Sequence, residues 1–194
     1  MLLADRITLI RIILAPVFFV VYMLPVYFPA LFPNGSAWTV WVLWAIFIGA
    51  EITDMLDGMI ARKRNETSDF GKLFDPFADT LLQISCFLCF VLDGIFPAIL
   101  FLLVLYREFS ILLIRNLMMK KGIAMGARIG GKIKTVTYIT ASGAALAAIS
   151  IQRLGILEFL YPWFRNGALI VFIISVIFAI ISFIDYVVFY QKTK

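Results

Sequence analysis

The sequence reads Asp54-Met-Leu-Asp57-Gly58-Met-Ile-Ala61-Arg62 and, eight residues later, Gly71-Lys-Leu-Phe-Asp75-Pro-Phe-Ala-Asp79. Asp54 and Asp57 are three residues apart, and Asp75 and Asp79 are four apart, so each pair shares one face of a helix. Because the connection between the two segments is short, the two helices are expected to be antiparallel neighbours. Both pairs of carboxylates can therefore converge on one point.

The composition around these segments is that of a membrane protein. Of the 194 residues, 63% are hydrophobic and the mean hydropathy is +1.01, whereas a soluble domain is about 45–50% apolar. A helix needs about 20 mostly apolar residues to cross a bilayer. We therefore predict an all-α polytopic membrane protein, a single domain over residues 1–194. Its six transmembrane helices are predicted at about 7–28, 37–55, 76–92, 95–114, 134–151 and 167–189.

The basic residues indicate how these spans are oriented. Of the 17 Lys and Arg residues, the side that holds both termini has 14, Arg107 lies within a span, and the opposite side has only Arg153 and Arg165. This positive-inside pattern predicts that both termini are cytoplasmic and that the acidic segments lie at the cytoplasmic face of the cell membrane. The net charge of +5 follows from this bias. Nucleic acid is not an expected partner, because the charges are confined to short loops.

Four carboxylates near a membrane interface repel one another, so a positive charge must offset them. The chain has no histidine, and Cys86 and Cys89 stand in an apolar run where they are expected to fill space. Oxygen ligands alone suit a hard cation such as Mg²⁺ or Mn²⁺, and two such ions would balance the four carboxylates and hold a pyrophosphate. The alternative is that the aspartates cap helices or pair with nearby basic residues.

Together, the two segments resemble the signature of the CDP-alcohol phosphatidyltransferase family, D-x₂-D-G-x₂-A-R-x₈-G-x₃-D-x₃-D, at every defined position. The resemblance implies a six-helix membrane enzyme, usually a homodimer, that joins CDP-diacylglycerol to an acceptor alcohol and releases CMP. It also implies two Mg²⁺ or Mn²⁺ ions, with Asp54, Asp57 and Asp75 as ligands of the first and Asp54, Asp75 and Asp79 as ligands of the second. Asp79 is assigned in the family as the base that activates the acceptor hydroxyl, and orienting that hydroxyl is the alternative role.

The resemblance also implies a site for the CDP group of the donor. Small residues let a ring or phosphate approach a helix backbone closely, and an arginine can bind phosphates. The matching positions in the signature are Gly58, Ala61, Arg62 and Ser68. The first helix is similar to the family's N-x-x-T-x-x-R pattern, which lines the nucleotide site. Here Thr8 and Arg11 match, while Asp5 replaces the usual asparagine and adds a negative charge near the phosphates.

The acceptor is predicted from basic residues downstream. Arg107-Glu108-Phe109, Arg115 and Gly131-Lys132-Ile133-Lys134-Thr135 are similar to members of the family that use glycerol 3-phosphate, although Thr80 stands where those members commonly have lysine. Arg107, Lys132 and Lys134 in one cavity would suit a phosphate-bearing acceptor. A buried Arg107–Glu108 pair that only joins helices is the alternative.

Several other interpretations stay open from the sequence. The acceptor could be that of an inositol-phosphate, cardiolipin or choline type of transferase. A membrane prenyltransferase usually has D-x₃-D pairs and more spans, and a transporter would place its acidic residues nearer the midplane. Arg115, Lys120, Lys121 and Arg128 are expected to face water or anionic membrane lipids. The small residues between Ala141 and Ala148 predict close helix packing, either within the chain or at a dimer interface.

Overall fold

A computed structural model describes the backbone of residues 3–32, 37–64, 69–122 and 129–192, and the side chains of residues 8–32, 37–54, 74–122 and 130–192. These ranges are almost entirely helical. The helices are α1 (Leu3–Tyr27), α2 (Ala37–Arg64), α3 (Asp69–Leu92), α4 (Ala98–Lys120), α5 (Ile129–Leu154) and α6 (Tyr161–Lys192), with a 3₁₀ turn at Glu158–Leu160.

The all-α polytopic prediction is confirmed. Each of the six predicted spans falls on one helix, and five helices are long and apolar enough to cross a membrane. The exception is α4, in which every 18-residue stretch includes Arg107, Glu108 and Arg115. The fourth span and the cytoplasmic placement of the termini therefore stay predictions, as does the single domain. Helix α2 continues beyond its apolar part to Arg64, so the first acidic segment is helical throughout.

The chain forms two compact units, of which the first comprises Met1–Cys89 and Ile149–Glu158. Here α1 packs against α2, with Phe18 and Leu43 fully buried. Polar groups near the end of α5 tie this helix to both. Arg153 donates to the backbone oxygen of Tyr22 at 2.9 Å and stacks on the Tyr22 ring, and the Trp44 indole donates to Ser150 Oγ at 2.9 Å.

The second unit comprises Phe90–Ala148 and Phe159–Lys194, and in it α4 packs against α6. The Phe96 and Phe172 rings are stacked with their centroids 4.0 Å apart, and Phe90 packs edge-on against Phe96 at 5.5 Å. All three rings are buried.

The small-residue patch of α5 is used within the chain. Its buried residues share one face of the helix and are Ala141, Ser142, Ala145 and Ala148. Short side chains allow close approach of helices, whose association in lipid depends on packing more than on the hydrophobic effect. The patch therefore packs within the chain, which is the first of the two alternatives that the sequence left open.

Three helices are followed by a glycine in the left-handed region, of which Gly94, two residues after α3, has φ +69°. Gly122 follows α4 with φ +74°, and its backbone N–H donates to the oxygen of Met119 at 2.9 Å. Gly155 follows α5 with φ +62°. Because L-residues with a side chain rarely adopt this conformation, glycine is the residue that stops a helix here at low cost. Cys86 and Cys89 are buried in α3 without a disulfide, as the space-filling interpretation expects.

The stacked aromatic rings give a test of the second unit. Phe172→Ala removes a ring that is fully buried against Phe96, and we expect a loss of roughly 3–5 kcal/mol of stability from lost contacts and a residual cavity. The matched control is Phe109→Ala, because Phe109 is 52% exposed. Thermal unfolding in detergent, followed by circular dichroism, measures both variants. Equal unfolding temperatures for the two would contradict the described packing.

Candidate active site

Three of the four predicted metal ligands converge on one arginine of α1. Arg11 Nη1 contacts Oδ1 of Asp54, on α2, and lies 2.7 Å from Oδ1 of Asp79, on α3. Its Nη2 lies 3.9 Å from Oδ1 of Asp75, one turn before Asp79. The Thr8 hydroxyl, one turn before Arg11, donates to the same oxygen of Asp75. We call Asp54, Asp75, Asp79 and Arg11 the carboxylate cluster.

In the carboxylate cluster, the arginine is buried and the three carboxylates are partly exposed. The Arg11 side chain is 2% exposed, whereas those of Asp54, Asp75 and Asp79 are 49%, 43% and 48% exposed. Three carboxylates against one guanidinium leave an excess of two negative charges. Glu51 lies one turn before Asp54 on α2 and interacts electrostatically with Asp54 and Arg11. The accessible side of the cluster is therefore suited to cations.

The remaining predicted donor-site residues lie outside the described side chains. The backbone of Asp5 belongs to α1, and that of Asp57, Gly58, Ala61 and Arg62 belongs to α2. Ser68 lies outside the described residues altogether. Of the predicted contacts to the CDP group, only Thr8 is therefore placed, on Asp75.

The described carboxylates fit a divalent cation in chemistry and charge. They provide only oxygen ligands, which Mg²⁺ and Mn²⁺ prefer, and they carry surplus negative charge. Within the described side chains, however, no three acidic, cysteine or histidine residues are arranged to hold an ion as they stand. Instead, the Arg11 guanidinium bonds to Oδ1 of both Asp54 and Asp79.

The predicted acceptor residues meet at a second cluster, centred on Glu108 of α4. Arg107 Nη1 lies 2.9 Å and 3.0 Å from the two Glu108 oxygens, and Lys134 Nζ of α5 lies 3.0 Å and 3.1 Å from them. The Tyr138 hydroxyl donates to Glu108 Oε1 at 3.2 Å. We call Arg107, Glu108, Lys134 and Tyr138 the basic cluster. Two cations share one buried carboxylate, which leaves one positive charge.

Helix α6 orients Arg107. The arginine donates from Nε to the backbone oxygen of Ala179 at 3.2 Å and from Nη2 to Ser182 Oγ at 3.1 Å. Gly130 of α5 lies close to Ser182, because a Cβ at that glycine would be 3.3 Å from the Ser182 Cβ. Arg107 thus makes the buried pair with Glu108 that the alternative interpretation expected.

Lys132 does not join the basic cluster. Its side chain is exposed and makes no hydrogen bond or ion pair with the described part of the chain. Arg115 was expected to face water or lipid, but it is partly buried and its guanidinium lies 5.8 Å from the centre of the Tyr186 ring.

Sequence reasoning missed the partners that lie outside the acidic segments. The position of Arg11 among the carboxylates was not predicted, nor was Glu51 beside them. Ser182 and Tyr138 were also missed, because isolated hydroxyls in apolar helices are common. Tyr138 had one signal in the sequence, because it lies four residues after Lys134 and therefore on the same helix face.

Comparison with known proteins assigns the sequence to a family. Residues 1–181 match the family model described as CDP-alcohol phosphatidyltransferase. A protein of Treponema pallidum named CDP-diacylglycerol--glycerol-3-phosphate 3-phosphatidyltransferase is 37% identical over 194 residues, which cover 96% of this chain and 88% of the relative. A Bacillus subtilis protein of the same name is 35% identical over 146 residues, 74% of this chain and 76% of the relative.

These matches rule out two of the interpretations that the sequence left open. They extend over nearly the whole chain, including α4 to α6, and not only over the acidic segments. A prenyltransferase or a transporter is thereby set aside. The chain belongs to the CDP-alcohol phosphatidyltransferase family.

Proposed function

We propose that this membrane protein transfers the phosphatidyl group from CDP-diacylglycerol to glycerol 3-phosphate, giving phosphatidylglycerophosphate and CMP. The observation that carries the proposal is the convergence of Asp54, Asp75 and Asp79 from two helices, with negative charge in excess. The names of the relatives supply the donor and the acceptor.

The carboxylate cluster is the proposed site of the donor pyrophosphate. We assign Asp54, Asp57, Asp75 and Asp79 as ligands of two divalent cations, Mg²⁺ or Mn²⁺. When bound, such ions neutralise the pyrophosphate and favour attack at the phosphorus next to the diacylglycerol. Thr8 supports this role by holding Asp75 from α1.

The remaining donor contacts and the catalytic residue follow the family signature. Residues assigned to the CDP group are Asp5, Thr8, Gly58, Ala61, Arg62 and Ser68. Asp79 is assigned to orient the acceptor hydroxyl and take its proton. The acceptor oxygen then bonds to phosphorus as the bond from phosphorus to the CMP oxygen breaks, and CMP leaves with the electron pair.

The basic cluster is the proposed site of the acceptor phosphate, with Arg107 and Lys134 as its ligands and Lys132, outside the cluster, as a third. Arg107 and Lys134 would repel each other without the Glu108 carboxylate between them. Glu108 therefore keeps two cations together while leaving one net positive charge, and Ala179 and Ser182 fix the plane of the guanidinium. The exposed Lys132, two residues before Lys134, supplies a further charge.

The proposed setting is the cell membrane, with the active site at the cytoplasmic face and both termini on that side. The distribution of Lys and Arg along the chain supports this orientation. A homodimer in contact with membrane lipids is proposed from the family resemblance.

The first prediction concerns the reaction. The purified chain with CDP-diacylglycerol and Mg²⁺ should release CMP when glycerol 3-phosphate is the acceptor. It should release far less with inositol phosphate, phosphatidylglycerol or choline, because the names of the relatives specify glycerol 3-phosphate. EDTA should abolish turnover, and added Mg²⁺ or Mn²⁺ should restore it. CMP release is measured by chromatography. Preference for another acceptor would reject the assignment of the head group, and full activity in EDTA would reject the metal assignment.

The second prediction concerns the basic cluster. Lys134→Ala should raise the KM for glycerol 3-phosphate by about 10- to 150-fold, because a charge-assisted contact contributes roughly 1.5–3 kcal/mol. Arg107→Lys should also raise this KM, since an ammonium cannot replace the fork that spans Glu108 and Ser182. The KM for CDP-diacylglycerol should change little in either variant.

The control for this second prediction is Lys120→Ala, which removes an exposed lysine near the end of α4. It should leave both KM values near those of the wild type. If Lys134→Ala and Arg107→Lys impaired only the use of CDP-diacylglycerol, the basic cluster would belong to the donor.

A further inference from the structure

Arg11 contacts carboxylates that are proposed to share a cation. A single nitrogen, Nη1, contacts the Oδ1 atoms of both Asp54 and Asp79, which belong to different helices. Nη2 lies 3.9 Å from Oδ1 of Asp75. An ion that bridged Asp54 and Asp79 through these atoms would take the place of Nη1. The guanidinium and such an ion therefore compete for the same ligands.

Burial restricts how Arg11 can respond. Its side chain is 2% exposed, and the part of α1 that follows it is apolar. A buried guanidinium requires negative partners, and the aspartates require a positive one, because like charges repel strongly at reduced dielectric. In the absence of metal, each therefore stabilises the other, and α1 is joined to α2 and α3 by this contact.

We propose that Arg11 is a positioning residue that acts as the built-in counter-ion of the metal-free site and lowers its affinity for divalent cations. The inference rests on the proposed assignment of Asp54, Asp75 and Asp79 as metal ligands. Before metal binds, Arg11 holds the three carboxylates at one place. Metal binding exchanges these contacts for bonds to the ion, so part of the binding free energy is spent on displacing the guanidinium.

This role and a purely structural one have opposite consequences for metal binding. If Arg11 only supports the helices, its removal weakens both the fold and the metal site. If Arg11 competes with the metal, its removal destabilises the metal-free protein and strengthens metal binding. A variant without Arg11 would then be less stable without metal but would bind metal more tightly.

The experiment compares Arg11→Gln with the wild type, using the full chain in detergent. We expect its thermal unfolding temperature in EDTA to fall, because three carboxylates lose their counter-ion. We expect its Kd for Mn²⁺, from the electron paramagnetic resonance signal of free Mn²⁺, to decrease about tenfold, or ~1.4 kcal/mol. The stabilisation by saturating Mn²⁺ should accordingly exceed that of the wild type. Arg165→Gln is the matched control, since Arg165 is exposed and donates only to the oxygen of Gly94, and it should change neither quantity.

Arg11→Lys keeps the experiment decisive if the glutamine variant fails to fold without metal. Lysine retains the charge but cannot contact several carboxylates through a planar fork, so it should compete less and lower the Kd for Mn²⁺ by about two- to threefold. If the wild type binds Mn²⁺ and the Arg11 variants bind it equally tightly or more weakly, the inference on Arg11 is overturned and the proposed metal site stands. Failure of the wild type itself to bind Mn²⁺ would overturn the proposed metal site, and this inference with it.

Discussion

Ion pairing inside apolar helices is the constraint on which the described structure depends. A charged residue at the centre of a membrane helix costs roughly 2.5–3.5 kcal/mol to insert, so it must find a partner in the protein. Arg11 of α1 meets carboxylates of α2 and α3, and Glu108 of α4 meets Lys134 of α5. The same contacts that satisfy these charges fix which helices adjoin one another and how they are rotated.

The two clusters share one arrangement with reversed signs. Arg11 is a buried cation surrounded by three more exposed carboxylates, and Glu108 is a buried anion bonded to two cations and a hydroxyl. In both, a single central charge gathers opposite charges but does not neutralise them fully. Each cluster therefore keeps an excess charge for a ligand, negative in the first and positive in the second. The first excess suits the cations that would bind a pyrophosphate, and the second suits an anionic acceptor.

The sequence predicted the elements of this arrangement better than their contacts. Two acidic pairs at helical spacing, joined by a short connection, were enough to predict that Asp54 would approach Asp75 and Asp79, which is confirmed. The counter-charge was predicted as metal ions, with pairing to basic residues as the alternative. Arg11 was not singled out for that pairing, because the spacing within α2 and α3 carries no information on the rotation of α1. The contacts of Arg107 with Ala179 and Ser182 could not be predicted either, since a backbone oxygen has no sequence signal and Ser182 stands in a mostly apolar stretch of α6.

The pairing of Arg107 with the next residue along the chain bears on how α4, the predicted fourth span, would enter the bilayer during synthesis. The charges of the carboxylate cluster come from three helices and can meet only when all three are made, whereas the Arg107 guanidinium contacts both oxygens of the adjacent Glu108. A nascent α4 would therefore reach the bilayer with these two charges already able to neutralise each other. Lys134 belongs to α5, which is made later, so the salt bridge within α4 can form before the one between α4 and α5.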